Sequence, residues 1–100
     1  MLALRQEIEQ ATSTYHVVLL TREWVAGLTA AELQRVPEPC RPRRILDESD
    51  VLRLSRSLTQ SYWQLRGTAA DVGVLQELWS FFLRAAIQIA RLRERAAGTA

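Results

Sequence analysis

The chain has 100 residues, 48% hydrophobic and 24% charged, with a formal net charge of +2. That is an ordinary globular balance for one domain, which excludes a disordered chain. No apolar run approaches the roughly 18 residues a membrane span needs, and the charge is too small to argue for nucleic acid by itself.

Segment Met1 to Gln10 carries acidic residues within its first turns and no cleavable apolar core, so no signal peptide is expected. A single cysteine, Cys40, leaves no internal disulfide and points to a reducing, cytoplasmic setting. The basic residues are all Arg. Codon bias explains this without function; recognition of planar anions, where the Arg fork outperforms Lys, is the functional alternative.

Helix 1 is predicted over about 1–36, because Leu4, Ile8, Ala11, Tyr15, Val18 and Leu19 recur at helical spacing. Gly27 permits a joint, and Thr29-Ala30-Ala31-Glu32 reads as a capping box from which helix resumes. A Pro/Arg loop follows over 37–46, where Pro37, Pro39 and Pro42 forbid helix. Asp47-Glu48-Ser49-Asp50 supplies N-cap chemistry for helix 2, about 47–66, with Val51, Leu54, Leu58, Tyr62 and Leu65 on one face and Gly67 closing it. Helix 3 is predicted over about 69–96. There is no internal repeat and no strand pattern.

One subunit looks incomplete. On helix 3, apolar residues including Leu75, Leu78, Phe82, Leu83, Ile87 and Ile89 fill roughly 220° of the wheel, where a surface helix shows an apolar stripe nearer 100° wide. Phe81 falls still closer to the polar stripe that holds Gln88. Helix 1 carries a second stripe of Val17, Leu20, Trp24 and Leu28, and helix 2 has Leu52 and Trp63 away from Leu54. Such surface, left exposed, calls for a partner, and a homodimer is the commonest solution.

Several polar residues stand out. Arg22 shares the wheel angle of Leu4 and Ala11, in the centre of helix 1's apolar face, and a buried guanidinium needs an acidic partner or an anionic ligand. Arg5 lies on the edge of that face, Arg35 follows, and Arg41, Arg43 and Arg44 crowd the loop beside Glu48. Such a set suits a small anionic metabolite with two carboxylates, held by bidentate contacts. His16 stands alone, so no metal site forms. No phosphate-binding loop, dinucleotide motif or catalytic triad is present, and no cofactor is expected.

These residues resemble the all-helical chorismate mutases and the related isochorismate pyruvate lyases over nearly the whole chain. Leu2-Ala3-Leu4-Arg5-Gln6-Glu7-Ile8 is similar to that family's opening segment, Leu19-Leu20-Thr21-Arg22-Glu23 to its second arginine segment, and Arg41-Pro42-Arg43-Arg44 with Asp47-Glu48 to its loop and the acidic start of helix 2. The resemblance implies an all-α, interlocked homodimeric bundle of a long N-terminal helix, a loop and two further helices. It implies catalytic roles for Arg5, Arg22 and Glu48, with Arg35, Arg43, Arg44 and Gln88 at the substrate. The chain departs from the pattern at Leu33, where the family has lysine, at Asp47, where it has arginine, and at Ala90, where it has glutamine; Arg35 and Gln88 are the nearest substitutes.

The family's rearrangement needs no nucleophile: the protein holds the compact conformer and stabilises charge at the ether oxygen. Losing one such donor costs about a hundredfold or more, so the resemblance implies weak or altered activity. Two other functions fit the sequence. One is a non-catalytic helical interaction module with Trp24, Trp63 and Phe81 on partner surfaces. The other is a small DNA-binding regulator using Arg53, Arg56 and the loop arginines.

Overall fold

The computed structural model describes residues 2–42, 44–68 and 72–98, and for 2–5 the backbone alone. It is all-helical among those residues. In chain order the helices are α1 (Leu2–Gln10), α2 (Thr14–Ala26), α3 (Ala30–Gln34), α4 (Glu48–Leu65) and α5 (Gly73–Gly98), with a 3-10 turn at Glu38–Cys40 in the linker. At 26 residues, about 39 Å, α5 is the spine, and α1, α2 and α4 all pack on it.

Helix 1 as predicted is not one element. It breaks at Ala11–Ser13 as well as near Gly27. Thr12, Ser13 and Thr14 carry hydroxyls that compete with the helical ladder. Ser13 takes extended backbone (φ −140°, ψ 153°), and its Oγ accepts from the His16 N–H at 3.1 Å, starting a new helix. The start of the turn is anchored in the core: Ile8 and Ala11 are buried, and the Gln88 amide of α5 donates to the Ala11 carbonyl at 2.9 Å, while Thr12 and Ser13 are exposed.

The break lets α1 fold back against α2 and α5, and it resets the wheel. On α2 the buried residues are Val17, Val18, Leu20, Thr21 and Trp24. Tyr15 and Leu19, expected inside, are exposed, and the stripe expected at a partner surface is the core. Trp24 stacks on Phe81 at 4.3 Å between centroids and 9° between planes. Phe81 and Gln88 are buried on α5 while Leu83 and Ile87 are exposed. The cause is that α1 covers one flank of α5, where Arg84 also reaches Glu9 at 3.4 Å, and leaves the other flank open. Much of the apolar surface that suggested pairing is thus buried within one chain.

Other expectations hold closely. The Thr29–Glu32 capping box forms in both directions, at 3.0 and 3.1 Å. Helix α4 starts at an Asp47 N-cap, buries Val51, Leu54 and Leu58, and ends before Gly67, whose φ of +86° favours glycine. Predicted helix 3 begins later than expected; residues 69–71 lie outside the described residues. Tyr62 stacks on Trp79 at 4.4 Å, and the Trp79 indole N–H donates to the Thr59 hydroxyl at 2.8 Å, tying α4 to α5. Exposed Trp63 stands edge-on to both rings, with the Arg66 guanidinium over it at 4.9 Å. No described helix is long and apolar enough to cross a membrane.

Candidate functional site: a groove between α2 and the linker

The linker is ordered by its own side chains. Val36, Cys40 and Ile45 are buried. Arg41 donates from Nε to the Val36 carbonyl at 2.9 Å and from Nη2 to the Gln34 carbonyl at 3.3 Å, so this arginine braces the loop. The Cys40 thiol lies 2.9 Å from the Ser61 hydroxyl. Asp50 Oδ2 accepts from the backbone N–H of Leu46 at 2.8 Å and of Asp47 at 3.4 Å. The Leu46 N–H is the main reason the Asp50 carboxyl sits below its ordinary pKa, with Arg53 and the Asp47 N–H adding to it.

Fixed in this way, the linker forms a groove with α2 of about 410 Å³, open to solvent. Arg22, Val25 and Ala26 make one wall; Pro42, Arg44, Ile45 and Leu46 make the other. In this extended segment adjacent side chains face opposite ways, so Ile45 enters the core while Leu46 stands 64% exposed. Arg44 also lines a neighbouring hollow of about 260 Å³ with Glu38, Arg41 and Arg53. Leu46 in turn separates the main groove from a smaller hollow of about 150 Å³ formed with Tyr15, Asp47 and Glu48.

Arg22 is exposed, not at the centre of an apolar face, because the break at Ser13 rotates it to the flank of α2. It and Arg44 both line the groove, and among the described residues neither has an ion-pair or hydrogen-bond partner. Two free guanidiniums over an apolar floor are suited to an anion with an apolar body.

The remaining expected site residues lie elsewhere. Glu48 borders the adjoining hollow, but its carboxylate accepts from Arg93 Nε at 2.7 Å and from a second nitrogen of the same guanidinium. The Thr14 hydroxyl first, and Arg93 second, hold that carboxyl below the usual glutamate pKa. Gln88, expected at a substrate, is 3% exposed and engaged with the Ala11 carbonyl. Arg35 is exposed at the C-cap of α3. The Arg5 side chain and Arg43 lie outside the described residues.

Sequence reasoning missed Leu46, Tyr15 and Leu19 as exposed apolar neighbours of the arginines. The alternation of Ile45 and Leu46 in a proline-bounded segment was the available signal for the first. Among the described residues no three His, Cys, Asp or Glu side chains converge on a metal position. Comparison of the chain with family models, with curated proteins and with solved structures finds no match in any of the three.

Proposed function

We propose that this chain is a carboxylate-binding helical module, and that the Arg22–Arg44 groove takes a small dicarboxylate of the kind its resemblance to the chorismate mutases implies. The observation that carries the proposal is the pair of guanidiniums, without partners among the described residues, lining one apolar-floored groove. The role is binding. Gln88 is engaged in the core and Glu48 is held by Arg93, so neither offers its polar group to a ligand lying between Arg22 and Arg44. The proposal sets the module in the cytoplasm, where Cys40 stays a buried thiol.

The magnitude is modest. Each exposed guanidinium–carboxylate contact contributes about 0.2–1 kcal/mol. Two of them with a half-covered ligand body support a dissociation constant on the order of 1 mM, equivalent to about 4 kcal/mol. Calorimetric titration with chorismate, in parallel with absorbance measurement of its loss, tests this. Saturable binding that weakens with salt and disappears in Arg22→Ala with Arg44→Ala is expected, without turnover above the uncatalysed rate. Binding that survives loss of both arginines overturns the site, and fast turnover overturns the non-catalytic role.

A further inference from the structure

A small dicarboxylate leaves much of this surface uncovered. Tyr15 (67% exposed) and Leu19 (40%) continue the line of Arg22 along α2, and Leu46 (64%) borders Tyr15 from the linker. From Tyr15 to Arg22 is about 10 Å of helix, two turns. Apolar side chains at this spacing, bordered by two hollows on either side of Leu46, match the groove in which an amphipathic helix lays its apolar face.

The charges around the strip are unequal. At one end stand Arg22 and Arg44; at the other stands Asp47, beside a Glu48 whose charge Arg93 already meets. A helix with acidic residues in its first turn and basic residues in its last, the distribution its own dipole favours, meets opposite charge at both ends in one orientation only. The geometry points to such a helix, supplied by a partner protein, as the occupant of the Tyr15–Leu19–Leu46 strip, its acidic N-terminal end on Arg22 and Arg44. The inference rests on the carboxylate-binding proposal and adds to it the partner and the direction in which it docks.

The probe is a synthetic peptide of about 18 residues, with leucines at helical spacing, glutamates in its first turn and lysines in its last. Its binding is followed by fluorescence anisotropy. Leu46→Ala, which removes a side chain outside the core, weakens binding about tenfold, with unchanged circular dichroism. Arg22→Ala and Arg44→Ala each weaken it about two- to fivefold, as does replacing the peptide's glutamates by glutamine. A nitroxide at the peptide's acidic end broadens amide signals of residues 22–26 and 44; one at its basic end broadens those of 14, 15 and 47.

Chorismate displaces the acidic end in competition. Chorismate binding without peptide binding sinks the helix and spares the carboxylate proposal. Peptide binding indifferent to both arginines sinks both. A stable dimer in light scattering, dissociated by Leu19→Glu with Leu46→Glu and blind to the peptide, assigns the strip to a second copy and overturns the inference.

Discussion

Replacing Ser13 distinguishes a broken first helix from a continuous one by the order of two variants. Ser13 is exposed, so its effect is local: its Oγ satisfies the His16 N–H, and no core contact is at stake. In the broken helix, Ser13→Ala removes the N-cap and costs about 1 kcal/mol, whereas Ser13→Gly costs only a few tenths because glycine is tolerated at that position. In a continuous helix residue 13 is interior, so Ser13→Ala stabilises by about 0.5 kcal/mol and Ser13→Gly destabilises by about as much. The two variants therefore exchange rank. For a domain of this size about 1 kcal/mol shifts the melting temperature by roughly 4–8 °C. Urea unfolding followed by circular dichroism measures both differences. Gln88→Leu provides a second handle: it removes the buried amide from the Ala11 carbonyl and costs about 1–3 kcal/mol. An alanine variant at position 13 more stable than wild type refutes the break, and with it the outward rotation of Arg22.

Two further outcomes follow from the packing and the charges. Trp24→Ala removes a fully buried ring from its stack on Phe81 and destabilises by about 3–5 kcal/mol in denaturant titration; a loss below about 1 kcal/mol places Trp24 on the surface instead. Glu48 has its folded-state pKa depressed, so its contribution is complete above the ordinary value of 4.5 and is lost as pH falls through the folded value. Glu48→Gln therefore lowers stability near neutrality and flattens the acid limb of a stability–pH profile. Partial exposure of Glu48 and Arg93 keeps the effect near 0.2–1 kcal/mol, and an unchanged acid limb contradicts the pairing.

Local chemistry made much of the fold legible. The capping boxes at Thr29 and Asp47, the proline-bounded linker, the inner face of α4 and the turn at Gly67 each follow from a few adjacent residues. The break at Ser13 was hidden because the apolar spacing from Ile8 through Ala11 to Tyr15 runs on through it, although the Thr12-Ser13-Thr14 run carried the opposing signal. One break then displaced several assignments together, since the residues of α2 were read on the phase of α1. Trp24 moved from surface to core and Arg22 from core to flank, while Phe81 is buried for a separate reason, its stack from α5 on Trp24. Of the candidate site, the pairing of Arg22 with the loop arginines was accessible from sequence. The capture of Glu48 by Arg93 and of Gln88 by Ala11 was not, because both depend on contacts far apart in the chain.

Amide chemical-shift mapping of the isotopically labelled protein during chorismate titration shows directly where a carboxylate ligand rests. Perturbations confined to residues 22–26 and 42–46, and absent when Arg22 and Arg44 are both alanine, are the expected result. Perturbations centred on the surroundings of Gln88 and Arg93, or none at concentrations of several millimolar, contradict the assignment of the groove.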